Sequence, residues 1–152
     1  MLTSKTKYAL RALMALAGDM DRRPRLIADL ARDERIPRKF LERILLELKS
    51  RGVLRSQKGK GGGYALARAP DQINLTDIVR WMDGPLAPVS CVSQTAYAPC
   101  RECTDEATCG IRSVMKEVRD AIARVLDATT LADLVQRARA AGGRDGALTY
   151  DI

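Results

Sequence analysis

The feature that most constrains this chain is the stretch from Val53 to Ala67. Val53-Leu54-Arg55-Ser56-Gln57 and Tyr64-Ala65-Leu66-Ala67 flank the turn Lys58-Gly59-Lys60-Gly61-Gly62-Gly63. Two short strand-forming runs around a glycine-rich turn predict a hairpin with a basic tip. The turn lacks the GxxxxGK spacing of a phosphate loop and is not followed by a helix, so it does not read as a nucleotide site. A plain turn does not need two lysines and four glycines. Glycines that allow close backbone approach, beside Lys58 or Lys60 reaching into a narrow minor groove, read better as a wing against DNA.

What precedes the hairpin is helical. Leu10, Leu13, Met14 and Ala17 fall at i, i+3, i+4, i+7 in a helix from Thr3 to Ala17, with Thr3 or Ser4 as cap and Gly18 as stop. Ile27, Leu30 and Ala31 make a second, short stripe before the turn Asp33-Glu34-Arg35. A third helix is expected from Pro37, well placed at a helix start, to Arg51, with Leu41, Ile44, Leu45 and Leu48 inward and Gly52 as C-cap. Two short helices, a turn, a third helix and a hairpin make a winged helix-turn-helix.

Charge supports a polyanionic partner. Residues 1–68 carry 17 Lys/Arg against 7 Asp/Glu, whereas residues 69–152 carry 9 against 12. A basic half joined to a mildly acidic half points first to nucleic acid and second to an anionic membrane. The membrane reading fits poorly, because the basic residues lie on a helix-turn-helix and not beside a strongly apolar stripe. Aromatic residues make up only 4% of the chain, so an aliphatic, mainly helical core is expected. No apolar run is long enough to span a bilayer, and the start lacks the apolar stretch of a secretory signal. The expectation is a cytoplasmic protein.

On the third helix, Arg38, Lys39, Glu42 and Arg43 are the polar residues near the N-terminus that a major-groove helix needs. A carboxylate is repelled by phosphates, so Glu42 in a basic face reads as an acceptor for a cytosine amino group. The plainer alternative is a charge partner for Arg38 or Arg43.

Beyond the hairpin, Asn74 can cap a short helix from Leu75 to Met82, ended by Asp83-Gly84-Pro85. A loop from Leu86 to Gly110 holds every cysteine. Ile111, Met115, Val118, Ile122 and Val125 then alternate spacings of four and three along a helix from Ile111 to Ala128, the pattern of a coiled-coil seam. Thr130 and Asp133 form a capping box for a last helix carrying Leu131, Leu134, Val135 and Ala138. The expected division is 1–84, a winged helix-turn-helix DNA-binding domain; 85–110, a sensor loop; 111–140, a dimerisation helix and a last short helix; and 141–152, a flexible tail.

The cysteines are Cys91, Cys100, Cys103 and Cys109, spaced C-x8-C-x2-C-x5-C, and the chain has no His. Four thiolates satisfy an iron–sulphur cluster or zinc. Structural zinc usually shows two paired knuckles, and only Cys100 and Cys103 make such a pair. The same pair could serve a thiol–disulfide switch. Four cysteines in a polar loop beside Arg101, Glu102, Asp105 and Glu106 do not read as small buried hydrophobes. Without His, a nucleophile–base pair or a complete nucleotide motif, the chain does not read as an enzyme. A small CxxC redox protein is the remaining enzymatic alternative, and a structural zinc protein is the other rival.

Ser4-Lys5, Tyr8-Ala9-Leu10-Arg11-Ala12-Leu13, Ile36-Pro37, Gly61-Gly62-Gly63-Tyr64-x-Leu66-Ala67 and Thr130-Leu131-Ala132-Asp133-Leu134 together resemble the IscR/NsrR-type family of bacterial regulators, over about residues 1–139. The resemblance implies a homodimer crossing through the long C-terminal helix, and an iron–sulphur cluster. It implies that Glu42 reads a base and that Lys58 stands for a wing arginine, a change that loses the planar fork. Lys39 replaces a serine of some relatives, which implies a different operator preference. It makes Cys91, Cys103 and Cys109 the expected cluster ligands and Cys100 an addition. The fourth ligands of relatives are absent, since Arg112 and Lys7 stand in their places, so Cys100 is the choice here, ahead of Glu102, Asp105 and Glu106. The resemblance implies an iron–sulphur cluster; 2Fe–2S is the expected type here, with zinc as the alternative. The expectation is thus a mainly α fold with a hairpin wing and a long dimerisation helix, binding a palindromic double-stranded DNA operator whose half-sites lie roughly 34 Å apart.

Overall fold

The computed structural model describes residues 2–19 and 21–142. The expectation of a loose tail therefore falls, from residue 143 on, outside the described residues. Six helices and one two-stranded antiparallel sheet follow one another along the described chain: α1 (Ser4–Gly18), α2 (Ile27–Asp33), α3 (Arg38–Ser50), β1 (Leu54–Gln57), β2 (Gly63–Leu66), α4 (Leu75–Asp83), α5 (Gly110–Asp127) and α6 (Leu131–Gly142).

α1 starts where the Thr3 hydroxyl accepts the Thr6 N–H, at 3.4 Å. Its fully buried face is Ala9, Ala12, Leu13 and Leu16, while Leu10, Met14 and Ala17 pack along the flank of the core. The apolar stripe read from sequence is thus rotated, because two alanines let α1 approach its neighbours closely. α3 buries the four residues expected, Leu41, Ile44, Leu45 and Leu48. Each such leucine or isoleucine removed from water contributes about 1.5–3 kcal/mol. Pro37 takes the N-cap of α3, one position before its expected place. After Gly52, at φ +74°, the Val53 N–H returns to the Leu48 carbonyl at 3.0 Å and the chain leaves as β1.

The hairpin pairs Leu54 with Leu66 and Gln57 with Gly63. Arg25, in the α1–α2 connection, adds to the outer edge of β2 by exchanging two hydrogen bonds with Tyr64, at 2.8 and 2.9 Å. Gly63 has φ +133°, and any Cβ there would fall on the Arg25 carbonyl. Glycine at this position lets the Arg25 backbone close onto the wing.

α4 is capped by Asn74, whose side chain accepts the Thr76 N–H at 2.8 Å. The connection from Leu86 to Cys109 contains one 3-10 turn, Ser90–Val92, and leads into α5. No residue of α5 is buried, and Ile111, Val114, Val118, Ile122 and Val125 stand exposed along it. No helix among the described residues is long and apolar enough to cross a membrane.

The chain then returns to the N-terminal core. The Leu131 N–H donates to the Ile73 carbonyl at 2.8 Å and the Leu75 N–H to the Thr129 carbonyl at 3.1 Å. Thr130 and Asp133 exchange the hydrogen bonds of a capping box at the start of α6. Leu131 is fully buried within the cluster formed by α1, α3 and α4. Leu131→Ala is therefore expected to destabilise the whole protein by about 2–5 kcal/mol. Chemical denaturation should show one shifted transition; a local loss of α6 with an unchanged main transition would contradict this packing.

Candidate nucleic-acid interface and cysteine loop

The exposed side of α3 presents Arg38, Lys39 and Arg43. These alternate with the buried leucines at helical spacing, so burial of one face fixes the direction of the other. Tyr8 of α1 meets Phe40 of α3 edge to face at 5.7 Å, and Lys5 pairs with Glu47 at 2.7 Å, which together fix the helix against α1. Glu42 is half-buried and pairs with Arg38 at 3.3 Å, the plainer arrangement allowed by the sequence. An exposed i,i+4 pair of this kind is worth about 0.3–0.5 kcal/mol, so either partner can be drawn off it. Lys58 and Lys60 are exposed at the wing tip. Among the described residues Lys39, Arg43, Lys58 and Lys60 enter no ion pair. Unneutralised cations on one helix and on the adjacent hairpin tip present positive charge to a polyanion.

The cysteine loop is fixed to the rest of the protein at its two ends. At the first, Cys91 lies in the 3-10 turn Ser90–Val92 and is 7% exposed. At the second, Cys109 is the N-cap of α5, its Sγ accepting the Arg112 N–H at 3.5 Å. Between them the backbone turns at Cys100, whose carbonyl accepts the Cys103 N–H at 3.3 Å. Asp105 then holds a second turn by accepting from the Ala107 N–H and the Thr108 hydroxyl, both at 3.0 Å. Glu106 ties the loop across to Tyr97 at 2.7 Å and to Arg112 of α5 at 3.4 Å.

Cys103 and Cys109 are half-buried. The Arg112 backbone N–H holds the Cys109 thiol below its ordinary pKa, with further help from Cys103, the Ile111 N–H and the Arg112 charge. Burial, with the nearby Cys109 thiol, pushes Cys103 up. Cys100 is exposed, its Sγ 3.3 Å from a Glu102 carboxylate oxygen. Among the described residues no three His, Cys, Asp or Glu side chains are gathered as a metal site. Of the four cysteines, the structure encloses Cys91 in its own turn, leaves Cys100 in solvent and keeps Cys103 and Cys109 half-buried. In donor chemistry the set suits an iron–sulphur cluster or another thiophilic metal, since four thiols lie on one loop.

Two contributors escaped the reading of the sequence. Arg25 pairs with Asp33 at 2.7 Å while its backbone edges the wing, and Arg119 of α5 donates to the Val92 carbonyl at 2.6 Å. Neither has a local signal, because each acts on residues far away in the chain.

A family described as Rrf2, iron-dependent transcriptional regulator, matches residues 2–137. An rrf2-like HTH-type transcriptional regulator of Rhodobacter capsulatus is 43% identical over 138 residues, covering 89% of this chain and 92% of its own. The HTH-type regulator NsrR of Geobacillus kaustophilus is 35% identical over 135 residues, covering 89% of each chain. The solved structure of CymR, the global cysteine regulator of B. subtilis, superposes with a TM-score of 0.74 at 30% identity, covering 90% of this chain and 97% of that one. These relatives are named as regulators of transcription and not as enzymes, and their likeness runs from α1 into α6. The chain with the basic winged helix and the cysteine loop belongs to the Rrf2 family of DNA-binding transcriptional regulators.

Proposed function

We propose that this regulator works as a homodimer on a palindromic operator, and that its cysteine loop sets operator affinity through an iron–sulphur cluster. The observation that carries the reading is the apolar stripe of α5, which stays exposed among the described residues although the winged helix beside it is complete. Ile111 is 71% exposed and Val125 58%. A stripe of this length on a monomer marks an interaction surface. It continues into a groove of about 820 Å³ lined by Leu2, Val79, Leu86, Ile122, Val125 and Leu126. A second copy of α5, paired through 111–128, covers the stripe and sets two α3 helices one DNA turn apart, roughly 34 Å.

In this reading residues 1–84 hold the DNA, 85–110 sense, and 111–140 pair and transmit. Arg38, Lys39 and Arg43 meet the major groove, Glu42 leaves Arg38 to accept from a cytosine amino group, and Lys58 and Lys60 enter the minor groove. Cys91, Cys103 and Cys109 hold the cluster, with Cys100 as the fourth ligand. When bound, such a group supplies a redox-sensitive cross-link within the loop. The chain's own residues do the rest: Arg112 steadies Cys109 at the end of α5, and Glu106 keeps the loop beside it. A second reading is a thiol–disulfide switch at the CxxC of the sequence, whose turn is closed by the Cys103 N–H on the Cys100 carbonyl at 3.3 Å.

Ile122→Asp is expected to give a folded monomer by sedimentation, with operator affinity lowered at least about 100-fold through loss of the second half-site; a dimer of normal affinity would end the pairing claim. Lys58→Ala and Lys60→Ala should each reduce the slope of log affinity against log salt by about one, without changing base preference. Glu42→Gln should alter base preference and leave that slope nearly unchanged. Anaerobic purification should give a coloured protein with matched iron and sulphide, lost in Cys91→Ala, Cys100→Ala, Cys103→Ala and Cys109→Ala. A colourless protein with stoichiometric zinc, or one free of metal after reconstitution, would replace the cluster with zinc or with the thiol switch.

A further inference from the structure

We propose that Arg119 is the positioning residue through which the cysteine loop acts on the dimerisation helix, by clamping the turn that carries Cys91 to α5. The inference rests on the reading of 85–110 as a sensing loop and names the side chain that would carry its state onward. Within that loop Cys91, Val92 and Ser93 are the one buried run among the described residues. The Val92 carbonyl takes its hydrogen bond from Arg119 Nη1, at 2.6 Å. The Arg119 Nε lies 2.8 Å from the Asp120 carboxylate, and the side chain is 13% exposed. The guanidinium is thus held in plane by one partner while it grips the carbonyl with another, a task for a planar fork and not for an ammonium. Arg119 also lines, with Arg80, Leu86, Ser93 and Thr95, the crevice where α4, the loop and α5 meet.

From this point the path to the reading head is short. Two turns further along α5, about 12 Å at 1.5 Å per residue, Asp127 accepts the Thr76 hydroxyl at 2.5 Å and, through its carbonyl, the Asn74 side chain at 2.8 Å. Asn74 in turn caps α4. A displacement of the Cys91 turn therefore reaches α5 through Arg119 and reaches the DNA-binding unit through Asp127. Releasing Arg119 leaves a buried carbonyl without its donor, so the turn opens more often.

The test has two arms. In full-length, metal-free protein carrying Cys100→Ser, Cys103→Ser and Cys109→Ser, Cys91 is the only thiol, and its alkylation by N-ethylmaleimide reports opening of the turn. Arg119→Gln should speed that reaction about tenfold or more, the factor expected for loss of a charge-assisted hydrogen bond, with Arg119→Lys between. Equal rates in all three proteins would overturn the clamp. With all four cysteines present, the ratio of operator affinities between the anaerobically reconstituted and the metal-free protein should fall to near one in Arg119→Gln, at unchanged iron content, dimer mass and Tm. Arg119→Lys should restore part of the ratio. A ratio as large as that of the unsubstituted protein would overturn the coupling. No difference between the two forms of the unsubstituted protein would overturn the sensing reading and the coupling with it, while the alkylation rates still decide whether the clamp exists.

Discussion

The arrangement depends on the junction at which the chain leaving α5 is stitched back onto the strand-like entry to α4. Ile73 and Leu75 exchange backbone hydrogen bonds with Leu131 and Thr129, and Asn74 both caps α4 and holds the Asp127 carbonyl. Each of these backbone groups lies beside the core, where an unpaired N–H or C=O would be costly. Leu131 then fills the space between α1 and its neighbours. Without this junction α5 would be an exposed helix on a hinge. With it, the direction of α5 is set relative to the helices of the N-terminal core.

The same junction makes the cysteine loop consequential. The loop spans the gap between α4, which belongs to the DNA-binding unit, and α5, which does not bury a single residue within the chain. It touches α5 through the Cys109 N-cap, the Glu106–Arg112 ion pair and the Val92 carbonyl held by Arg119. All three contacts are polar, whereas the packing under α3 is a leucine core.

Much of the fold was legible because it is carried by periodicity. The α3 leucines recur at helical spacing and all four are buried. The glycine-rich hairpin and the Thr130–Asp133 capping box are local devices whose geometry follows from adjacent residues. The α1 stripe was placed too far towards Leu10, Met14 and Ala17, since hydropathy favours large residues whereas the packing chose Ala9 and Ala12. The α5 pattern was visible as an apolar stripe, and that stripe is exposed. The cysteines were legible as a set by their spacing, but their distribution among a buried turn, an exposed tip and two half-buried positions was not.

By itself, then, the sequence determined the order of the elements, the buried face of α3, the basic wing and the presence of four thiols on one loop, because each depends on residues within a few positions of one another. It also placed the chain in its family through short motifs in α1, at the start of α3, in the hairpin and at the start of α6. Tertiary structure alone decided that Arg25 edges the wing, that Leu131 joins the N-terminal core and that Arg119 holds the Cys91 turn. These contacts join residues far apart along the chain, whereas the Arg38–Glu42 pair follows from the i,i+4 spacing of one helix.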